Sequence, residues 1–208
     1  MTTMKAPDAK APSGDRTFAR LLRTAIGLAG HEVFGASGFS TWRADPQETA
    51  TMEPNAIAAA ERLVDLLHTD GAPDAVLTYH NYHKGPDLIG PRISRAFDIP
   101  YAIVEASRAQ KRADGPWARG FFLADEALRA AHALGVVTRR DGPALEAFAP
   151  EAIVPFPPFI DTTPFQRPST GDGHHVVCAG MMRPGRKAES FRILADVFRI
   201  IRVRALGT

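Results

Sequence analysis

Cysteine is almost absent from this chain of 208 residues, which contains a single one, Cys178. A lone cysteine excludes an intramolecular disulfide, and its place in the apolar run VVCAG predicts a buried thiol in a cytoplasmic protein. Apolar runs of about 18 residues are also absent, and the opening MTTMKAPDAKAPSG lacks the apolar core of a signal peptide. We therefore expect a protein that is soluble or at most peripheral to a membrane.

A concentrated charge of one sign is lacking as well. The net charge is only +2, and the densest basic group, RRD at 139–141, is short. Scattered charge gives no electrostatic footprint for nucleic acid, so we expect no nucleic-acid partner. The remaining composition, 45% hydrophobic and 23% charged, is that of a globular protein with one full domain and a further piece.

Short apolar segments alternate with segments of helical periodicity along the chain. This alternation is typical of parallel strands with helices on both faces, and it predicts a Rossmann-like, doubly wound α/β layer over residues 1–160. The first strand of such a layer is missing before helix one, and we interpret it as truncated. The predicted helices cover 15–29, 55–68, 87–97, part of 116–133, and 142–148, and the predicted strands cover 31–37, 74–80, 101–106, 135–138 and 152–156.

Prolines mark the end of this layer. The segment PFPPFIDTTPFQRP has few backbone donors for a sheet, and we interpret residues 161–173 as an inter-domain hinge. Residues 174–208 then provide one strand and one helix, at 187–202, and fall below the about 40 residues that can bury enough surface alone. We expect a truncated second Rossmann-like domain, whose apolar helix face docks on the first domain, self-associates or stays exposed.

Two candidate phosphate-binding turns precede helices. Ligands of open α/β sheets lie beyond the carboxyl ends of the strands, where helix N-termini offer free N–H groups. The turn PSGDR enters helix one, where Gly14 and Arg16 could approach a phosphate or sugar, although a plain helix cap is the alternative. In GMMRPGRK, Arg183 and Lys187 place two cations at a helix start, which opposes the helix dipole unless an anion lies between them.

Two further clusters follow predicted strands. The loop YHNYHKGPD could contact a sugar or a phosphate, with a His-x-x-His zinc site or a loop without a ligand as alternatives. Its candidate side chains are His80, Tyr82, His83 and Lys84. The segment EASRAQKR contains Glu105, which could orient a hydroxyl, and a solvated basic loop is its alternative. Its cations, which could face an anionic group, are Arg108, Lys111 and Arg112.

Three segments of the chain together resemble a known family. DAVLTYHNYHKGPDLIGPRISRAFDIPYAIVEAS, FPPFIDTTPF and HVVCAGMMRPGRKAESFRILAD are similar to the N-terminal half of bacterial family-4 glycosyltransferases of GT-B architecture, over about Met4 to Ile201. In that family two Rossmann-like domains face each other, and the first holds mostly the acceptor while the second holds the nucleotide-sugar donor. The resemblance implies retaining transfer of a sugar to a hydroxyl of a glycan, lipid or small molecule, without a cofactor or an obligatory metal.

The resemblance also implies residue roles. The donor diphosphate would contact Arg183, Lys187, Gly14 and Arg16. The acceptor side would comprise Tyr82, His83, Lys84 and Arg108, beside the catalytic candidates His80 and Glu105.

A later acidic motif of two glutamates, with which the family holds the ribose and the sugar, has no counterpart in this chain. We therefore expect the chain alone to bind a nucleotide-sugar weakly or not at all. The alternative function is a non-catalytic remnant that holds an acceptor or a partner. A sugar-nucleotide epimerase of the same architecture is a third interpretation, which would also need the absent part of the second domain.

Overall fold

A computed structural model describes residues 2–4, 10, 13–35, 38–166, 178, 180 and 185–206. The chain divides into two compact units, Met1–Asp161 and Thr162–Thr208. The helices and strands of the described residues are, in chain order, α1 (Gly14–Leu28), α2 (Thr49–Asp70), β1 (Val76–Asn81), α3 (Gly90–Phe97), β2 (Tyr101–Ala106), α4 (Ala118–Ala130), β3 (Ala133–Val136), α5 (Gly142–Glu146), β4 (Ile153–Pro155) and α6 (Arg186–Leu206).

Unit 1 is built on a parallel sheet, which has four strands in the described part of the chain. The strands lie side by side in chain order, from β1 to β4. β1 and β2 pair from Val76 opposite Tyr101 to Asn81 opposite Ala106. Each neighbouring pair is connected by one helix, namely α3, α4 or α5. Parallel strands need such crossovers, so the predicted α/β class is confirmed.

Apolar side chains cover both faces of the sheet because successive residues of a strand point to opposite sides. Ile103 of β2 belongs to a core cluster with side chains of α2, α3, α4 and α5. Its neighbour Val104 packs instead with Ala19 and Leu22 of α1. The sheet therefore has α1 on one face and the later helices on the other, which is the layering predicted from the sequence.

This alternation breaks at one level of the sheet, near the carboxyl ends of β1 and β2. His80 and Glu105 have φ angles of 69° and 59°, in the left-handed region that non-glycine residues rarely adopt. After each of them the alternation is shifted by one residue. Ala106 thereby returns to the core cluster of α2 to α5, and the Asn81 side chain donates a 3.1 Å hydrogen bond to a backbone carbonyl of α4. The left-handed residue of β1, His80, therefore lies beside the left-handed residue of β2, Glu105.

The strand predicted at 31–37 is wrong in its described part. Residues 31–35 form no strand, and Phe34 is 51% exposed. Thr2 pairs in parallel with Tyr79 at the outer edge of β1. Thr2 therefore occupies one position of that edge. Four of the five residues 31–35 are exposed, so this segment buries too little apolar surface to join the sheet. The other predicted strands occur within two residues of their predicted starts.

In unit 2, the strand predicted to open at Val176 and most of the predicted hinge lie outside the described residues. Helix α6 covers the helix predicted at 187–202, and Ile201 on its predicted apolar face is 52% exposed. Cys178 is exposed, so the predicted burial of its thiol is wrong. The physical reason is that only α6 and a short helical turn, Thr163–Phe165, form regular structure in the described part of unit 2. No described helix is long and apolar enough to cross a bilayer.

Candidate functional site

Two of the predicted site residues meet at the carboxyl edge of the sheet in unit 1. His80 and Glu105 extend from adjacent strands, and His80 Nδ1 lies 3.9 Å from Glu105 Oε2. This distance permits an ion pair with a protonated imidazole but is too long for a direct hydrogen bond. His80 Nδ1 is buried and has no hydrogen-bond partner among the described residues. The Glu105 side chain is 31% exposed, so its carboxylate can accept a hydrogen bond from a hydroxyl at this edge, while the enclosed His80 Nδ1 lies behind it.

Backbone strain accompanies this pair. A left-handed conformation costs a non-glycine residue roughly 1–2 kcal/mol, and it persists only where surrounding contacts impose it. At His80 the carbonyl accepts a 2.6 Å hydrogen bond from the Thr3 hydroxyl. The next side chain, Asn81, is fully buried and accepts a 2.9 Å bond from the Asp87 amide. Because such strain concentrates at functional sites, it marks this edge as the candidate site.

Tyr79 supports Glu105 from the neighbouring strand. Burial raises the pKa of Tyr79 far above its ordinary value, and a hydrogen bond to Glu105 together with the charges of Glu105 and Asp15 raises it further. The phenol therefore stays protonated and donates to the carboxylate. Its ring stacks on Phe18 of α1, with ring centroids 5.0 Å apart. The Tyr79 ring thus packs against α1, and its hydroxyl lies beside the Glu105 carboxylate.

The N-terminus of α1 adjoins the same edge. The Ser13 hydroxyl accepts a 3.2 Å hydrogen bond from the Arg16 amide, which is a helix cap. A methyl group on Gly14 would meet no atom within 4 Å, so the first turn borders open space. The guanidinium of Arg16 reaches back to the carbonyl of Lys10 at 3.2 Å. Asp15 adds a negative charge to this turn, which disfavours an anion there. The contacts of Gly14 and Arg16 with the donor diphosphate stay predictions.

A row of rings leads from His80 toward α4. Ring centroids are 4.6 Å apart for His80 and Tyr82, 5.3 Å for Tyr82 and His83, and 5.5 Å for His83 and Trp117. Burial raises the pKa of Tyr82, so its hydroxyl also stays protonated. The Tyr82 ring contacts both imidazoles. For the zinc alternative, no three His, Cys, Asp or Glu side chains among the described residues converge on a metal position. These four rings line the carboxyl edge of the sheet between β1 and the start of α4.

Gly120 determines how closely this row of rings approaches α4. A methyl group at Gly120 would lie 2.1 Å from the carbonyl oxygen of His83, a contact that backbone atoms cannot relieve. The loop itself is tight, since the amide of Gly85 donates a 2.9 Å bond to the carbonyl of Tyr82. Glycine at position 120 therefore fixes the place of His83 and Lys84 beside the first turn of α4.

The predicted cations of the loop after β2 differ in their surroundings. Arg108 makes a two-bond ion pair with the buried carboxylate of Asp125, with Nε–Oδ1 3.0 Å and Nη2–Oδ2 2.8 Å. Its guanidinium also lies 4.3 Å from the centre of the Phe148 ring. Through these contacts Arg108 connects the loop to α4, which is a structural role. Its acceptor-side role stays a prediction. Lys111 and Arg112 form no ion pair with any described residue.

The predicted diphosphate residues of unit 2 are described only in part. Lys187 lies exposed in the first turn of α6, and Arg183 lies outside the described residues. Their pairing around a diphosphate stays a prediction.

Sequence reasoning missed the buried carboxylate that holds the site together. Asp87 Oδ2 accepts 2.6 Å and 2.7 Å hydrogen bonds from the hydroxyls of Thr78 and Tyr101. Its Oδ1 accepts 2.9 Å bonds from the amides of Ile89 and Gly90 at the start of α3. Asp87 is the first residue of the helix predicted at 87–97, and an aspartate at a helix start can accept bonds from the free amides of the first turn, so GPDLIGPR contained the signal.

Comparison with known proteins adds no relative. No protein-family model matches the chain, and no curated protein matches it at the significance required. The glycosyltransferase interpretation therefore rests on the sequence segments that carry the resemblance and on the geometry of the carboxyl edge.

Proposed function

We propose that this chain belongs to a retaining GT-B glycosyltransferase, in which unit 1 holds the acceptor of a sugar taken from a nucleotide-sugar donor. The observation that supports this most is the pair His80 and Glu105, strained and adjacent at the carboxyl edge, with an unpartnered buried Nδ1 3.9 Å from a carboxylate oxygen. Ligands of open α/β sheets bind at that edge, and strained polar residues there favour chemistry over packing.

The proposed roles follow from what sugar transfer demands. The acceptor hydroxyl must be oriented toward the sugar carbon, and its proton must be taken up as the new C–O bond forms. Glu105, which accepts a hydrogen bond from Tyr79, also accepts one from the acceptor hydroxyl and takes up its proton. His80, whose enclosed Nδ1 lies 3.9 Å from Glu105 Oε2, positions that carboxylate. The bond between the sugar and the diphosphate breaks at the same time, and the departing negative charge must be neutralised by cations, which is the role that the resemblance gives to Arg183 and Lys187.

A transfer assay tests this proposal. The chain is incubated with a panel of nucleotide-sugars and hydroxyl acceptors, and product and released nucleoside diphosphate are measured by mass spectrometry. We expect Glu105→Gln and His80→Ala to reduce transfer by about 100-fold or more, the range of a lost general acid or base. Glu126→Gln, at an exposed position of α4, is the matched control and should be unchanged. Because the chain alone is expected to bind the donor weakly or not at all, absence of product favours the second candidate below. Product that Glu105→Gln leaves intact, or no saturable binding of any acceptor, would reject the proposal.

A non-catalytic acceptor-binding module is the second candidate. The pair and the row of rings belong entirely to unit 1, so this edge can bind an acceptor without any residue of unit 2. Saturable acceptor binding without release of nucleoside diphosphate would select this alternative.

A further inference from the structure

A cluster of three cations lies beside the row of rings. Lys84, Lys111 and Arg112 form no ion pair with a described residue, in contrast to Arg108 and Arg119, which each pair with a carboxylate. All three act on the same imidazole, that of His83, through their positive charge. We name them the cation cluster. It lies at the carboxyl edge of unit 1, where its positive charge is not balanced by the described ion pairs.

Two members of the cation cluster are held in place without an acceptor for their N–H groups. Arg112 Nε is buried and lacks a hydrogen-bond partner within the described parts of the chain. Because this atom is enclosed by the protein, it anchors the guanidinium, and a ligand would meet the terminal N–H groups of Arg112 instead. Lys84 Nζ lies 4.8 Å from the centre of the Trp117 ring. The ring attracts the ammonium and leaves its N–H groups available to a ligand.

His83 at the centre of the cation cluster stays neutral. Burial and the charges of Arg112, Lys84 and Lys111 lower the pKa of His83 to about 4. A neutral imidazole has one donor and one acceptor nitrogen, so it can bond to a ligand without adding charge. The charges that shift His83 are all positive, which is the environment that an anion would balance.

We propose that the cation cluster binds a phosphate group of the acceptor, which makes the acceptor a phosphorylated sugar or polyol. This rests on the proposed function and names its acceptor class. A guanidinium and two ammonium groups suit the oxygens of a phosphate, whereas a neutral glycan would leave their charge unbalanced. One ring, Tyr82, separates His83 from His80. A phosphate on the cation cluster would let the sugar ring lie over Tyr82 with a hydroxyl at His80 and Glu105.

Calorimetric titration tests the site with defined probes. The full chain is titrated at low salt with glucose 6-phosphate, inorganic phosphate and glucose. We expect glucose 6-phosphate to bind, glucose not to bind, and Arg112→Gln and Lys84→Gln each to weaken binding roughly tenfold or more, as for a lost charge-assisted bond. Arg95→Gln is the matched control, because Arg95 is exposed in the last turn of α3, at the other edge of the sheet. Circular dichroism confirms that each variant is folded.

Vesicles distinguish the source of the phosphate. Flotation with phosphatidylcholine vesicles, with and without phosphatidylinositol, shows whether the same cations bind a lipid headgroup. Binding of glucose 6-phosphate that is lost in Arg112→Gln assigns the phosphate to a soluble acceptor. Vesicle binding that requires phosphatidylinositol and is lost in Arg112→Gln assigns it to a lipid acceptor, and either result supports the site. Equal binding of glucose and glucose 6-phosphate, wild-type affinity in both variants, or no binding of any probe would overturn the proposal.

The outcomes also separate this site from the proposed function. If neutral acceptors are glycosylated at the same rate by the wild type and by Arg112→Gln, the transferase function stands and the phosphate site at the cation cluster is rejected. Phosphate binding that depends on Arg112, together with transfer that Glu105→Gln leaves intact, would keep the site and reject the proposed role of His80 and Glu105.

Discussion

Replacing Glu105 with glycine should give a more stable protein than replacing it with alanine, although glycine ordinarily weakens a strand. Both changes remove the carboxylate and its hydrogen bond from Tyr79, so the difference between them isolates the backbone. Glu105 has a φ of 59°, which glycine adopts freely and alanine does not.

The magnitude follows from two opposing effects. Alanine pays roughly 1–2 kcal/mol for the left-handed conformation, while glycine pays about 0.5–1 kcal/mol for its greater freedom in the unfolded chain. We therefore expect Glu105→Gly to exceed Glu105→Ala by about 1 kcal/mol in free energy of unfolding, or about 3 °C in midpoint temperature for a unit of this size.

Urea unfolding followed by tryptophan fluorescence measures this difference, because both tryptophans, Trp42 and Trp117, belong to unit 1. Ala102→Gly in the same strand is the control, since Ala102 has no positive φ, and it should lose about 0.5–1 kcal/mol. If Glu105→Ala were as stable as Glu105→Gly, the strain at this position would be refuted, and with it the argument that strain marks the site.

Three further substitutions test the contacts that hold the edge in place. Asp87→Ala removes the acceptor of the buried Thr78 and Tyr101 hydroxyls and should cost roughly 3 kcal/mol or more in urea unfolding; a loss under about 1 kcal/mol would contradict the buried network. Gly120→Ala forces a methyl against the His83 carbonyl and should cost about 1–3 kcal/mol, so an unchanged urea midpoint would refute that approach. The pKa of His83 is about 4 in the folded chain, below its unfolded value of about 6.5, so the unfolded chain binds more protons between these values. Its contribution to stability is complete above about pH 6.5 and is lost as the pH falls toward about 4, and His83→Gln should flatten this part of the pH profile; an equal slope in both proteins would contradict the lowered pKa.

The layered α/β architecture could be predicted because its elements follow local patterns. Strand β2 occurs at its predicted residues, Tyr101–Ala106, and α1 begins one residue from its predicted start, behind the cap of Ser13. The strand predicted at 31–37 does not form in its described part, residues 31–35, while Thr2 forms a bridge to Tyr79 at the outer edge of β1. Pattern alone cannot reveal whether a strand edge is available.

The details of the site depend on contacts between distant parts of the chain. The side-chain chemistry of His80 and Glu105 marks them as site candidates, but neither residue type predicts a left-handed backbone. Tertiary contacts impose that conformation, such as the hydrogen bond from the Thr3 hydroxyl to the His80 carbonyl. The residue types after β2 predict three cations that could face an anionic group, and the resemblance assigns only Arg108 to the acceptor side. Only the structure separates Arg108, paired with a carboxylate on α4, from Lys111 and Arg112, which have no such pair in the described chain.

The most direct test of the central claim, that the carboxyl edge of unit 1 holds the acceptor, is a nuclear magnetic resonance titration of the isotope-labelled chain with glucose 6-phosphate. We predict that the amide shifts concentrate in residues 79–85 and 105–112, on both sides of His80 and Glu105, and that they weaken in Arg112→Gln. Shifts confined to the opposite edge, at 71–75 and 98–100, or no shifts at all, would contradict the claim.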